Sequence, residues 1–220
     1  MQNENNSSVS KDLIPGSEKF FLFFGGIAGA IGMPPFEFYR ASRILNYSKI
    51  FLRDISRAWY QRGLPSIGNN AQAIGEYLQV KIKEADAAEV YFVGNSMGGF
   101  AALLFCSMLQ IGKAIVFSPQ TFISSEKRQM YGDDRWPDQI KKLHETRTAS
   151  NIHDLAPWIQ DCYPRMPASV HVSTSDALDM HHVNELGGFP NIKVHCFPDG
   201  GHGLVIKFRD DGVLESILNS

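Results

Sequence analysis

The feature that most constrains the fold of this chain is a serine between glycines at a predicted strand-to-helix junction. The stretch GNSMGGFAALL, residues 94–104, follows the apolar run EVYFV and precedes the run KAIVFSP. A sharp turn between a strand and a helix strains the backbone of its central residue, so the positions two residues away on either side must be small. Gly94 and Gly98 meet that requirement. The pattern predicts that Ser96 presents its hydroxyl at the carboxyl edge of a sheet, at the N-terminus of a buried helix, where developing negative charge is favoured.

Apolar runs and helical patterns alternate along most of the chain. Continuous apolar runs predict strands that are covered on both faces, and helices between them indicate a parallel sheet. The predicted strands are 20–24, 49–52, 89–93, 113–117, 169–173 and 193–197, and the predicted helices are 36–45, 71–82, 97–109 and 213–218. The sequence therefore predicts an α/β fold, with a mainly parallel sheet of about six strands and helices on both faces.

The length of 220 residues suits one domain with a substantial core. Residues 1–19 are polar and lack the apolar stretch of a secretory signal, so they are predicted to be a mobile tail. Residues 20–220 are predicted to form the domain. The segment at about 120–167 has no convincing strand, which favours a short helical cover inserted into the fold.

Composition excludes several classes of function. The net charge of −2 does not indicate a nucleic-acid partner, and no apolar run is long enough for a membrane span. The cysteines, Cys106, Cys162 and Cys196, are odd in number and show no disulfide or zinc spacing. We expect a cytoplasmic protein with no metal and no cofactor.

A nucleophilic serine needs a base and an acid that orients the base. His202 is the best candidate base, because it lies in PDGGHG directly after the last predicted strand, where glycines allow a sharp bend. The acid should follow the strand before it, in TSDALDM. Asp176 is the preferred partner and Asp179, one helical turn later, is the alternative. The order Ser96, Asp176, His202 matches the serine–aspartate–histidine order of one hydrolase architecture.

Two backbone donors should stabilise the oxyanion of an acyl-transfer intermediate. The N–H group of Met97, next to the nucleophile, is one candidate. The second should come from the loop after an earlier central strand, where FFGGIAGAIG allows a tight turn. The N–H group of Ile27 is the candidate there.

These residues resemble the α/β-hydrolase superfamily. The resemblance runs from about residue 20 to the C-terminus and rests on the elbow GNSMGG, the acid loop STSD, the base loop GGHG and the glycine turn. It implies that Ser96 is the nucleophile, that His202 is the general base and acid, that Asp176 orients His202, and that the segment 120–167 is the cover.

The sequence departs from the family pattern in two places. Many members have a His-Gly pair in the oxyanion turn, where this chain has Gly25-Gly26. The strands that usually open the family's sheet are not predicted either, which indicates a sheet trimmed on its N-terminal side.

A serine nucleophile suits carboxylic esters and thioesters with a small to medium acyl group, free or attached to a carrier. The predicted function is therefore a serine esterase or thioesterase that works through an acyl-enzyme. Aromatic and sulphur-containing residues are the candidates for the substrate pocket: Trp59, Tyr60, Met97, Tyr131 and Trp136.

Four alternatives stay open. The same triad would support acyl transfer to an acceptor other than water. The glycines of GGIAGAIG, with Asp54 after the next strand, loosely suit a dinucleotide site, but they are spaced G-x-x-G-x-x-G instead of G-x-G-x-x-G. The cluster DMHHVNE could hold a metal, although its spacing matches no zinc motif. A non-catalytic scaffold of the same fold would bind a partner without turnover.

Overall fold

The structure is a computed structural model, which describes residues 7–27, 37–145 and 151–219. The sheet has seven strands in the order β1-β3-β2-β4-β5-β6-β7, all parallel except β1, which runs antiparallel to β3. The strands are β1 Val9–Asp12, β2 Lys19–Phe24, β3 Ser48–Leu52, β4 Glu89–Asn95, β5 Lys113–Phe117, β6 Ala168–Ser173 and β7 Ile192–Phe197. The prediction of an α/β fold with a mainly parallel sheet is confirmed.

The helices are α1 Ala71–Ala85, α2 Met97–Leu109, α3 Ser125–Tyr131, α4 Pro137–Glu145, α5 Leu155–Cys162, α6 Ala177–Asn184, α7 Leu204–Asp210 and α8 Val213–Asn219. Helices α1 to α6 connect successive parallel strands along the chain, and α7 and α8 follow β7. Short 3₁₀ helices occupy Ala41–Ile44 and Gly201–Gly203. Among the described residues, no helix combines the length and the apolar character needed to cross a bilayer.

Strand β2 shows why the central strands are continuously apolar. Phe20, Leu22 and Phe24 pack in the core with α1, α2 and α5, whereas Phe21 and Phe23 pack on the other face with α7 and α8. Successive side chains of a strand point to opposite faces, and helices cover both faces at this position. The five phenylalanine and leucine side chains are therefore all buried.

Three sequence predictions need correction. The sheet has seven strands instead of about six, and the additional strand, β1, lies inside the segment that was predicted as a mobile tail. The run VSKD in β1 escaped detection because an antiparallel edge strand is covered only in part and needs no continuous apolar run. Of the helix predicted over 36–45, the described residues show only the 3₁₀ turn Ala41–Ile44; residue 36 lies outside the described residues.

The segment 120–167, predicted as a helical cover, contains α3, α4 and α5 in the part that the structure describes. Leu155 and Ile159 of α5 join the core around α2, so this part of the segment belongs to the body of the domain. The loop between α3 and α4, residues 132–136, reaches the carboxyl edge of the sheet. Its role as a cover stays a prediction.

Candidate active site

The turn between β4 and α2 has the strained geometry that its glycines predict. Ser96 has φ 54° and ψ −118°, and it is 4% exposed. A Cβ atom at Gly94 would lie 2.0 Å from the carbonyl oxygen of Gly98, and one at Gly98 would lie 2.1 Å from the carbonyl oxygen of Phe24. Side chains at either position would collide with backbone, so the two glycines permit the bend that presents the Ser96 hydroxyl.

The imidazole of His202 lies beside this hydroxyl. His202 sits in the 3₁₀ turn after β7, where Gly200 and Gly201 have φ values of 108° and 53°, a region that glycine adopts readily. Its Nε2 atom is 2.9 Å from Ser96 Oγ, across 106 residues of sequence. The arrangement allows the imidazole to accept the serine proton.

Asp179, not Asp176, contacts His202. Its two carboxylate oxygens lie 2.8 and 2.9 Å from His202 Nδ1, and the residue is fully buried. Asp176 instead caps α6, with its Oδ1 accepting the backbone N–H of Asp179 at 2.9 Å. The preference for Asp176 as the partner of His202 is therefore wrong. The helix begins one residue after Asp176, so its carboxylate satisfies a free N–H group of the first turn.

Arg135, in the loop between α3 and α4, also contacts Asp179. Arg135 Nη1 is 2.7 Å from Asp179 Oδ1 and 3.3 Å from His202 Nδ1. Burial would raise the pKa of Asp179, but the hydrogen bond and charge of His202, together with Arg135, outweigh it and hold the pKa below its ordinary value. The carboxylate is thus kept ionised beside the imidazole.

A second carboxylate holds Arg135 in place. Asp133 Oδ1 and Oδ2 accept Nε and Nη2 of Arg135, both at 3.0 Å, and Asp133 Oδ2 is 3.0 Å from His182 Nε2. His182 Nδ1 accepts the backbone N–H of Thr121, so Nε2 carries the proton that His182 donates to Asp133. No local sequence pattern predicts this network, because its members lie up to 61 residues apart.

The glycine turn after β2 lies against the serine turn. A Cβ atom at Gly26 would be 3.0 Å from the carbonyl oxygen of Asn95 and 3.6 Å from Ser96 Cβ. Ile27 follows on this turn and lines the cavity that contains Ser96 and His202. Met97 opens α2, where the first N–H groups of a helix have no intrahelical acceptor. The two predicted oxyanion donors thus belong to adjoining turns; their role stays a prediction.

A cavity of about 130 Å³ adjoins the serine. Besides Ser96 and His202, its walls are formed by Gly26, Ile27, Glu37, Asn95, Trp136, Gly203, Val205 and Ile206. Known ligand pockets commonly span ~300–1,000 Å³, so the space enclosed by the described residues is small.

Of the predicted pocket residues, Trp136 alone lines this cavity. Trp59 and Tyr60 are fully buried in the core: Trp59 Nε1 donates to Gln120, and the Tyr60 hydroxyl lies 3.1 Å from the carbonyl oxygens of Gly25 and Leu52. Met97 is also fully buried in the core and does not line the cavity. Tyr131 donates to Glu185 and stacks on His181, away from the serine. These four residues therefore lie outside the walls of this cavity, because large apolar side chains fill a core as readily as they line a pocket.

The residues behind the metal alternative separate into different contacts. His181 stacks on Tyr131, His182 bonds to Asp133 and Glu185 pairs with Lys127. Among the described residues, the group whose ligand atoms lie close enough for a metal, within 4.8 Å, is Asp176, Asp179 and His202. Those atoms bond to one another or to the start of α6, which accounts for their proximity.

The dinucleotide alternative rests partly on residues 28–36, which lie outside the described residues. Its acidic residue, Asp54, is 4% exposed and accepts the backbone N–H groups of Ser56, Ala58 and Tyr60. Asp54 therefore shapes the turn after β3 and has no face open to a ribose.

The fold is similar to that of several solved structures. Against the capsule O-acetyltransferase of Neisseria meningitidis serogroup A, the chain is 16% identical, with a TM-score of 0.67 over 97% of this chain and 92% of that one. A mutant of that acetyltransferase in complex with CoA has a TM-score of 0.63, at 15% identity over 94% and 91% of the two chains. A lipase-esterase related protein from Clostridium acetobutylicum is 14% identical, with a TM-score of 0.59 over 96% and 98%.

No protein-family model matches the sequence, and no curated protein sequence is significantly similar to it. Structural similarity at sequence identities of 14–16% shows a shared fold and nothing further. The chain has the α/β-hydrolase fold, as its sequence resemblance predicts.

Proposed function

We propose that this protein is a serine esterase or thioesterase that forms an acyl-enzyme at Ser96. The observation that carries the proposal is the continuous chain of contacts from Ser96 Oγ through His202 to Asp179, at 2.9 and 2.8 Å. A serine, a base and an orienting acid in hydrogen-bond contact at the carboxyl edge of the sheet are the parts that nucleophilic acyl transfer requires.

In the proposed reaction, His202 Nε2 removes the proton from Ser96 Oγ as the oxygen attacks the carbonyl carbon of the substrate. Asp179 holds the imidazole by its Nδ1–H and stabilises the imidazolium. The N–H groups of Met97 and Ile27 stabilise the tetrahedral oxyanion. His202 then gives the proton to the leaving alkoxide or thiolate. In the second half of the reaction, water attacks the acyl-enzyme while His202 Nε2 removes its proton, and His202 returns that proton to Ser96 Oγ as the acid is released.

The size of the cavity supports a small acyl group. About 130 Å³ lies between Ile27, Trp136 and the first turn of α7, where Val205 and Ile206 supply apolar surface. An acetyl or other short acyl chain fits such a space, whereas a long chain would need the cavity to widen. We therefore propose short esters or thioesters as the substrate class.

A second candidate is acetyl transfer from a thioester donor to a hydroxyl acceptor. It is favoured by the TM-score of 0.67 to a capsule O-acetyltransferase, against 0.59 for the lipase-esterase related protein. The steps up to the acyl-enzyme are the same in both cases. The candidates differ in whether water or an alcohol accepts the acyl group from Ser96.

The test of the proposed function is chemical labelling joined to turnover. The wild type should react with a fluorophosphonate probe and hydrolyse p-nitrophenyl acetate, and Ser96→Ala should lose both. Loss of a triad residue costs roughly four or more powers of ten in rate. Ser216→Ala is the matched control, because Ser216 is exposed on α8 and alanine favours a helix. Full turnover by Ser96→Ala would refute the proposal.

Product analysis separates the two candidates. Acetyl-CoA and p-nitrophenyl acetate would be supplied with and without alcohol or sugar acceptors. Free acetate as the product in every mixture supports the hydrolase. An acetylated acceptor, formed faster than free acetate, supports the transferase.

A further inference from the structure

Glu37 is partly buried and contributes a carboxyl group to the cavity, and none of the proposed catalytic steps uses it. Its Oε2 accepts the backbone N–H of Gly26 at 2.7 Å, and its Oε1 accepts Asn95 Nδ2 at 3.0 Å. One carboxylate therefore bridges the two turns at the edge of the sheet, the glycine turn after β2 and the serine turn after β4.

These two contacts lie one and two residues before the two proposed oxyanion donors. Gly26 precedes Ile27, and Asn95 precedes Ser96 and Met97. The direction of the Ile27 N–H follows the orientation of the preceding peptide planes, and glycine itself imposes little restriction on them. The glycine turn needs an outside constraint to aim its donor.

The backbone that carries Glu37 is held in place by its neighbour, Phe38. Phe38, next to Glu37, packs between Phe23 and Phe117, with ring centroids 5.5 and 6.0 Å away. Its backbone has φ 66°, and its carbonyl oxygen accepts the N–H of Ser42 at 2.8 Å. On the opposite side of the turn, the Tyr60 hydroxyl contacts the carbonyl oxygen of Gly25. Tyr60 and Glu37 thus hold the two sides of one peptide unit, the carbonyl oxygen of Gly25 and the N–H of Gly26.

The charge of Glu37 fits a role within the site. Burial raises the pKa of its carboxyl group, although the N–H groups of Gly26 and Asn95 and the charge of His202 oppose that rise. Both carboxylate oxygens accept N–H groups, which is the pattern of the ionised form. A charge-assisted hydrogen bond is shorter and stronger than a neutral one, in keeping with the 2.7 Å contact to Gly26.

We propose that Glu37 is a positioning residue that ties the glycine turn to the serine turn, so that the N–H groups of Ile27 and Met97 converge on one substrate oxygen. This inference rests on the proposed function. It makes Glu37 a determinant of turnover that acts through the backbone and not by contact with the reacting atoms.

The test is a double-mutant cycle between Glu37 and Asn95. In Glu37→Gln, the side-chain amide can accept from only one of its two N–H partners and turns a donor toward the other. In Asn95→Asp, two carboxylates face each other across the former 3.0 Å contact. In the double variant, the oxygen of the introduced glutamine accepts the Gly26 N–H while its amide donates to the introduced aspartate. Both hydrogen bonds therefore return, with one donor reversed.

We expect each single variant to lower kcat for p-nitrophenyl acetate by about tenfold to a hundredfold, as for a misplaced oxyanion donor, with KM changed less than about threefold. The double variant should recover most of the lost kcat. The backbone amide of Gly26, followed by NMR, should exchange with solvent faster in Glu37→Gln and return toward the wild-type rate in the double variant. Glu18→Gln, at an exposed site, is the matched control.

The possible failures are distinguishable. An active wild type whose Glu37→Gln variant keeps its kcat, or shows unchanged exchange at Gly26, overturns the role of Glu37 alone. Loss of kcat in both single variants without recovery in the double variant also overturns it, because the effect would then be general destabilisation. A wild type that neither reacts with the fluorophosphonate nor turns over the ester overturns the proposed function, and the positioning role with it.

Discussion

Replacement of Asp179 and Asp176 by asparagine separates two carboxylates that stand three residues apart and have different contacts. Asp179 binds His202 Nδ1 through both oxygens, whereas Asp176 caps α6. Asparagine at position 179 can present its amide donor to the imidazole and favour the wrong tautomer. The loss in kcat expected for that change is about 10⁴-fold, or ~5.4 kcal/mol at ~1.36 kcal/mol per factor of ten.

The effects on stability run differently. Asparagine caps a helix as well as aspartate does. Asp176→Asn should therefore change kcat by about twofold at most, and the free energy of unfolding by a few tenths of a kcal/mol at most. Asp176→Ala should destabilise the fold by ~1 kcal/mol and leave kcat nearly unchanged. Asp179→Asn removes one charge partner of Arg135, which keeps Asp133, so ~1–3 kcal/mol of stability should be lost.

The assay is steady-state hydrolysis of p-nitrophenyl acetate at neutral pH, joined to urea unfolding of each variant. Unfolding curves establish that Asp179→Asn is folded under the assay conditions, so that a low rate reports chemistry. The reasoning is refuted if Asp176→Asn loses more turnover than Asp179→Asn, or if Asp179→Asn retains more than about a tenth of the wild-type kcat.

Three further predictions concern stability and specificity. His171 is 6% exposed, with a ring that stacks on Phe117, and burial lowers its pKa to about 4. Because the unfolded chain binds this proton near pH 6.5 and the folded chain does not, stability is lost as the pH falls from about 6.5 to about 4, by up to ~3 kcal/mol. Urea unfolding at about pH 7 and about pH 4.5 should show that His171→Phe loses less stability on acidification than the wild type; an equal loss would contradict the assignment. Gly98→Ala should fail to fold or lose several kcal/mol, because its Cβ would lie 2.1 Å from a carbonyl oxygen, whereas Gly188→Ala, with no atom within 4 Å of an added Cβ, should behave as wild type in a thermal melt. Trp136→Ala should widen the cavity and raise the ratio of kcat/KM for p-nitrophenyl hexanoate to that for the acetate by about tenfold or more; an unchanged ratio would exclude Trp136 from the acyl site.

The sequence was sufficient to predict the structural elements that depend on residues close together in the chain. The central strands β2, β4 and β5 were predicted because they are buried almost throughout and read as short apolar runs. The edge strand β7 was predicted from its sequence as well, although most of its residues are exposed. The turn at Ser96 was predicted because its backbone needs small residues at two defined positions, Gly94 and Gly98. His202 was found because glycines mark the bend after a strand.

The remaining features depend on which distant groups meet. Strand β1 is polar because its side chains at the edge of the sheet are at most partly buried. Asp176 and Asp179 are chemically identical side chains, and only the start of α6 decides that the first caps the helix and the second faces His202. Glu37 reaches Asn95 across 58 residues of sequence, and Arg135 reaches Asp179 across 44.

Local sequence determined the six parallel strands, the strained serine turn and the position of the candidate base, because backbone sterics and burial act over a few residues. The tertiary structure alone decided which carboxylate meets the imidazole, which arginine holds that carboxylate, and which aromatic side chain borders the cavity. Those choices follow from the distances between side chains on separate elements, and hydrogen bonds and charge pairs depend on tenths of an ångström that no local pattern encodes.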